Sequence, residues 1–381
     1  MRRKLSLVVA LILAAAVVAT IIMAIRPSND KKLEVVTGVI GSEKQPFFDD
    51  PSVKAAFKAA GYDVRVDTAG SRQMATMDLS KYDFAFPAGT PAAEKIKQVV
   101  KAPKTYVPFF TPMAIGSYKP VVDLLAQSGV AIDNGGWWSF DMEAYLNLTA
   151  TNTRWADLPG DTGYKKPQKS VLITSTDIAK SNSAAQYASI ASYVANGNNV
   201  VDSPAAVPNV IDQVAPLFSR QGYTESSSEG PFLDYLTIGM SKTPLVMIYE
   251  SQFLYQAAKN DGSIKSDMIL MYPDPAIFSK HTLVPLNAKG DAIGNLLTTN
   301  AELQRQAVLN GYRTNNSADF AKFVLDSNLS VPENLPSVID PPNYDTLEAL
   351  ISTIQQRLTS TTAPSTTDPL TQSSTTQESV P

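Results

Sequence analysis

The stretch VVTGVIGSEKQPFFDD, Val35 to Asp50, decides the architecture. Val35, Val36, Val39 and Ile40 give it the composition of a buried strand. The polar turn Gly41-Ser42-Glu43-Lys44 follows, and Asp50 and Pro51 carry the cap and first-position signals of a helix. Within that helix Val53, Ala56, Phe57 and Ala60 share one face, and Gly61 stops it. The order then repeats. Val64 and Val66 mark a second strand ahead of Thr68-Ala69-Gly70-Ser71-Arg72. Tyr82 to Phe86 makes a third, turning at Pro87-Ala88-Gly89 into a helix with Thr90 as cap and Pro91 at its first position. Recurring strand, loop and helix predict an α/β chain with a mostly parallel sheet.

Further along, Val107–Ile115 is apolar but broken by Pro108 and Pro112, which suits a crossing segment better than a ladder strand. Ser117 is expected to open a helix through Leu125, and Asp133-Asn134-Gly135-Gly136 is a turn before Trp137-Trp138. Val171–Thr174 reads as a strand delivering the polar turn Asp177–Asn182 and a helix from Ser183 to Asn196. Pro244–Tyr249 and Met268–Tyr272 read as strands, the second stopped by Pro273 and Pro275. Closing helices are expected near Ala301–Asn310, Ala318–Leu325 and Tyr344–Leu358.

The 381 residues suffice for one large or two moderate domains, and a formal charge of −4 argues against a nucleic-acid partner. Met1-Arg2-Arg3-Lys4 precedes an apolar run, Leu5–Ile25, long enough for the roughly 20 residues of a membrane-spanning helix. The basic flank predicts a cytoplasmic N-terminus and an extracytoplasmic main domain. Cleavage as a signal near Ala14-Ala15-Ala16, giving a secreted protein, is the alternative. Residues 359–381 are dominated by Ser, Thr, Pro, Gln and Asp and predict a disordered tail.

Small donors gather in turns that precede helices: Ser42 with Lys44, Ser71 with Arg72, and Ser181-Asn182-Ser183. Hydroxyls and free N–H groups at helix starts suit an anion or the carboxylate of a polar solute, although Ser and Asn are also ordinary caps there. Tyr249-Glu250 ends a strand and suits a hydroxyl or ammonium group or a surface pair. Trp137 and Trp138 suit a sugar face or a loop anchor. With no Cys and His281 alone, a zinc site is not expected, and His281 is expected in a loop. No G-x-S-x-G elbow or phosphate-cradling P-loop is present, so no enzyme and no cofactor are expected.

These features resemble the type II extracellular solute-binding proteins. VIGSEK at Val39–Lys44, DVRVDTAGSRQ at Asp63–Gln73, YDFAFPAG at Tyr82–Gly89 and PLVMIYE at Pro244–Glu250 carry the resemblance. So do Val171–Ser175, MYPDPAIFSKHTLVPLN at Met271–Asn287 and AELQRQAVLNGYR at Ala301–Arg313. The chain is most similar to an actinobacterial branch related to von Willebrand-associated binding domains. No lipid-accepting cysteine is present, and an uncleaved anchor departs from a freely diffusing transporter receptor.

The resemblance implies two lobes, 33–110 plus 277–358 and 111–276, behind an anchor at 1–26 and a linker at 27–32. Val107–Ile115 and Met271–Lys280 would cross between them. A small polar solute, including an anionic one, would lie in the cleft against Ser42, Ser71, Ser181, Asn182 and Tyr249. Lys44, Arg72, Gly89, Thr90, Ser183 and Glu250 complete the candidate set. The implied partner is a transporter or envelope protein; the alternative is an envelope scaffold or sensor that holds no ligand.

Overall fold

The computed structural model describes residues 32–222 and 224–362. The expected anchor and nearly all of the expected tail lie outside them. Among the described residues no helix is long and apolar enough to cross a membrane.

The opening reading holds locally. β1 (Glu34–Ile40) pairs in parallel with β2 (Tyr62–Thr68) and β3 (Phe84–Phe86). Asp50 caps the helix Pro51–Ala59, its carboxylate accepting from the Ser52 and Val53 N–H groups. Period-two alternation then sorts the side chains into two layers. Val36, Ile40, Phe84, Phe86 and Leu283 pack with Val53, Phe57, Ile293 and Leu297 of the helices on one face. Val39, Ala85 and Val284 pack with Ala92, Ala93 and Ile96 on the other. Strands buried on both faces read as unbroken apolar runs, which is why this part of the chain was legible.

The sheet as a whole is mixed rather than mostly parallel, ordered β2-β1-β3-β9-β4-β8-β6-β5. Its middle is antiparallel and rests on β4 (Tyr106–Tyr118). Tyr106 to Pro112 of β4 lies against β9 (Ala276–Pro285). Met113 to Gly116 then pairs with β7 (Val246–Tyr249), and Ile115 to Tyr118 with β8 (Met268–Asp274). The two prolines thus sit in a ladder strand after all. Pro108 falls within the register shift between Tyr106 and Phe109, where a missing donor costs no ladder bond. Pro112 is the last residue paired with β9 before β4 takes up β7.

Other expectations change for related reasons. Ser117 stays in β4, its hydroxyl donating to the Pro244 carbonyl, and the helix starts at Lys119. The helix after β3 is capped by Gly89, with Thr90 as its first residue and no side-chain cap. β8 continues through Pro273, which pairs with Phe140 of β6 (Trp138–Asp141), itself the partner of β5 (Ala131–Asp133). Val171–Thr174 is not a strand. Its backbone donors go elsewhere: Ile173 N–H to the Tyr145 hydroxyl at 3.0 Å and Val171 N–H to the Thr153 carbonyl at 2.9 Å. Only Thr174 bridges to Val246. Val171 and Ile173 are nonetheless buried, so the apolar pattern reported burial without ladder pairing.

Around β4, β7 and β8 a third core gathers Met113, Ile115, Tyr187, Tyr235, Ile248 and Leu270. Leu350, Ile351 and Ile354 of the closing helix Tyr344–Thr362 belong to it. A short strand β10 (Val338–Ile339) adds in parallel to the start of β9.

Two buried ionic groups tie these layers together. Arg313 grips Glu250 through two contacts, Nε to Oε2 at 2.8 Å and Nη2 to Oε1 at 2.7 Å. Tyr272 donates to the same carboxylate at 2.6 Å, and Arg313 also donates to the Pro332 and Glu333 carbonyls. The Arg313 main chain exchanges two 2.9 Å hydrogen bonds with Phe110 of β4.

The second group centres on His281, which lies fully buried in β9 rather than in a loop. Its Nδ1 is 3.1 Å from Lys44 Nζ and 3.5 Å from Glu43 Oε1. The ring is surrounded by Phe86, Phe109, Tyr249 and Tyr312. Burial, and then the Lys44 charge, push the imidazole well below its usual range. Burial also lowers Lys44, against the opposing pull of Glu43.

Two outcomes follow. Glu250→Leu strands a buried guanidinium and should cost about 3–5 kcal/mol, while adding Arg313→Met should recover much of that loss; urea denaturation midpoints check both. His281 is held neutral in the fold but takes a proton near pH 6.5 when unfolded. Its contribution is therefore intact above about pH 6.5 and declines as the pH falls below it. Urea titrations from pH 7 to 5 should show a shallower loss for His281→Phe than for the unchanged chain.

Candidate functional site

The loops after β1, β2 and β7 converge with two helix starts on one polar cavity of about 310 Å³. β1 delivers Gly41, Ser42 and Glu43; β2 delivers Thr68, Ala69, Gly70 and Ser71. From the other side come Lys180, Ser181 and Asn182 at the start of the helix Asn182–Ala195. Ser226, Ser227, Ser228 and Glu229 lead into the helix Glu229–Thr237, and Tyr249 ends β7. Cavities where strand ends meet helix starts are the usual ligand positions of α/β sheets.

The donors are preset by the fold. Ser71 Oγ accepts from Ala88 N–H at 2.9 Å, which leaves its own proton free to donate. Ser181, Ser183 and Thr176 form a hydroxyl chain with spacings of 2.9 and 2.8 Å. Asn182 Nδ2 donates to the Tyr249 hydroxyl at 3.1 Å. Burial, helped by the Glu43 charge, raises the Tyr249 phenol far above its usual range, so it remains a hydroxyl. Ser181 and Ser228 make no side-chain cap bond to their helices, so the first N–H groups of both depend on other acceptors.

Each cation near the cavity has a carboxylate within 4 Å. Lys44 is paired with Glu43, Arg72 with Glu348 at 2.7 Å, and Lys180 with Asp177 at 3.4 Å. What faces the cavity is chiefly neutral hydroxyl and amide chemistry, together with Lys180, Glu43 and Glu229. Among the described residues no group of three or more His, Asp or Glu side chains is arranged to hold a metal.

Two glycines let the opposing sides touch. A Cβ on Gly70 would lie 2.3 Å from the Lys180 carbonyl oxygen, and one on Gly89 would lie 2.3 Å from Asn182 Oδ1. Gly70 has an ordinary φ of −63°, so close approach rather than backbone freedom explains the glycine. Arg72 Nε adds a 2.9 Å bond to the Ala179 carbonyl.

The candidate residues divide accordingly. Ser42, Ser71, Ser181, Asn182 and Tyr249 meet around the cavity. Lys44 lies behind it, paired with Glu43 and His281, and Ser183 lies beneath Ser181. Arg72 and Gly89 stand at the contact between the sides rather than on the lining. Thr90 starts its helix, and Glu250 is sealed against Arg313. Sequence reasoning did not single out Thr68, Gln73, Lys180, Ser226–Ser228 or Glu229. The triple serine just before an acidic helix start was the available signal for the last group. Trp137 and Trp138 lie on a separate groove with Phe253 and Leu270, away from this cavity.

No protein-family model matches the sequence, and no curated protein matches it. Solved structures do. The sulfate-binding protein SubI of Mycobacterium tuberculosis H37Rv aligns over 85% of this chain and 99% of its own, at TM-score 0.52 and 16% identity. A periplasmic thiamin binding protein aligns over 87% and 98%, at TM-score 0.56 and 11% identity. Iron-bound HitA of Pseudomonas aeruginosa aligns over 85% and 99%, at TM-score 0.51 and 9% identity. At these identities the likeness is one of fold, and the fold is that of the two-lobed periplasmic solute-binding proteins.

Proposed function

We propose that this chain is an extracytoplasmic solute-binding protein, held at the cell membrane by its N-terminal segment, that closes on a small polar solute. The observation that supports it most directly is the hydroxyl-lined cavity, fed from two sides whose backbones already touch at Gly70 and Lys180. Residues 33–110 plus 277–358 are proposed as one lobe and 111–276 as the other, with β4 and β9 crossing between them. Binding would engage Ser42, Ser71, Ser181, Asn182, Tyr249 and the helix start at Asn182. An acceptor-rich group, such as an oxyanion, matches that set of donors. Solved proteins of this fold are described as sulfate-binding, thiamin-binding and iron-bound, so the fold accommodates solutes of different chemistry. The bound state would be passed to a transporter or envelope partner, with no covalent step.

The test is a thermal-shift screen of the full chain against oxyanions, amino acids, sugars and nucleosides. A true ligand should stabilise the fold by about 2.7 kcal/mol at a hundredfold excess over its dissociation constant. A flat response over the panel would favour the envelope-scaffold role instead. For any hit, the double change Ser71→Ala and Ser181→Ala should weaken binding by about 1–3 kcal/mol in calorimetry, and unchanged affinity would remove this cavity as the site. Gly70→Ala should weaken the same ligand by holding the two sides apart, and X-ray scattering should show a larger radius of gyration with ligand present.

A further inference from the structure

The closing helix Tyr344–Thr362 follows residues of the first proposed lobe in sequence but packs on the second. Only its first residue touches the first lobe: Tyr344 packs against the core of Val39, Ala92 and Ala93, with Lys95 Nζ 5.2 Å from its ring centroid. Beyond it the neighbours change. Leu347, Leu350, Ile351 and Ile354 share a core with Val207 and Val214, and the helix lies along the helices Asn182–Ala195 and Ile211–Ser219. Asn343 Nδ2 and Thr346 Oγ1 donate to the Asp202 carbonyl at 3.3 and 3.4 Å, and Arg357 Nη2 donates to Asp212 Oδ1 at 2.9 Å. Four buried aliphatic side chains hold a helix more firmly than one part-exposed ion pair does.

Arg72 meets this helix at the edge of the cleft. It follows Ser71 in the loop after β2, within the first lobe. Its Nε donates to the Ala179 carbonyl at 2.9 Å, and its Nη2 donates to Glu348 Oε2 at 2.7 Å. The Arg72 side chain is 14% exposed and that of Glu348 29%, so the pair is partly sheltered from water. A planar guanidinium holds two acceptors in a fixed relation, which a single ammonium charge does not. Ala179 lies in the turn that presents Lys180, Ser181 and Asn182 to the polar cavity. Arg72 therefore fixes where those donors stand relative to its own neighbour, Ser71.

We infer that the closing helix moves with residues 111–276, and that Arg72 is a positioning residue that reaches across the cleft to Ala179 and Glu348 and latches the lobes together. This rests on the proposed two-lobed solute-binding function and adds what holds the lobes besides the solute. It also moves one element across the proposed division, since the helix from its second turn onward belongs to the second lobe. With the helix there, both acceptors of the Arg72 guanidinium lie on the far side of the cleft. A contact made by the protein alone shifts the balance of open and closed forms toward closed. A solute that binds the closed form then gains affinity, because a larger fraction of the protein is ready to hold it.

The chain has no cysteine, so pairs of introduced cysteines can carry spin labels in the full chain. Lys58→Cys marks the first lobe, Asn147→Cys the second and Ser352→Cys the closing helix, and all three positions are exposed. Double electron–electron resonance reads the three distances between them. Arg72→Gln should lengthen both distances from Lys58 and leave the Asn147–Ser352 distance unchanged, which also reports an intact second lobe. Glu348→Gln should give the same pattern to a smaller extent, because the Ala179 contact remains. A fixed Lys58–Ser352 distance beside a longer Lys58–Asn147 distance would overturn the inference by returning the helix to the first lobe. No change in any distance with Arg72→Gln would overturn the latch. Gly70→Leu, a wedge against the Lys180 carbonyl, separates that failure from failure of the proposed function. If the wedge lengthens Lys58–Asn147, the lobes move and only the latch falls; if the wedge also changes nothing, the closing of two lobes falls with it.

Discussion

The structure depends on one backbone ladder, the antiparallel pairing of β4 with β9 and its handover to β7 and β8. β4 hydrogen-bonds to one set of strands up to Pro112 and to another from Met113 onward. The parallel β1-β2-β3 unit and the β5-β6-β8 unit are both anchored to that continuous element. The register of such a ladder is held by the side chains buried along it, because a slip of one residue would turn every one of them outward. The cavity lies where the loops after β1 and β2 meet the end of β7 and the helix starts at Asn182 and Glu229, so its geometry is inherited from the strands that β4 and β9 hold in place.

Charge in the interior follows a consistent arrangement. Lys44, Arg313 and Arg72 each find a carboxylate from another part of the fold or from a neighbouring residue. Removing either partner of a buried pair is more damaging than never having had the pair, so these contacts hold the elements in one arrangement more than they add net stability. The Glu43–Lys44–His281 group illustrates the point. It joins the turn after β1 to β9, and it sets the position of Glu43, which lines the polar cavity.

Much of this was legible in the sequence, and the omissions have physical reasons. β1 and β3 announce themselves because they are covered on both faces, and β2 because its apolar residues alternate along one; all three are bounded by glycine, proline or polar turns. β4 and β8 were misread at their prolines because proline limits the donor side of a residue, and whether a donor is needed depends on partners far away in the chain. Val171–Thr174 shows the converse: its residues are buried as expected, yet side chains such as Tyr145 take the bonds a strand would have used. Ser42, Ser71, Ser181, Asn182 and Tyr249 were recognisable as donors at strand and helix ends. That Glu250 faces Arg313 and Lys44 faces His281 could not be read, since 63 and 237 residues separate the partners in sequence but not in space.

For the proposed solute-binding role, the ion pairs made by Lys44, Arg72 and Lys180 bear on selection among solutes. Free lysines or arginines would hold any anion through a long-range field that salt screens over about 8 Å at physiological ionic strength. Hydroxyls and helix N–H groups act only at contact distance, and each must be matched by a lone pair. A cleft of this composition responds to the protonation state of its ligand more than to the ligand's net charge, because one added proton turns an acceptor into a donor facing a donor. It would also keep its affinity as the surrounding medium becomes more saline.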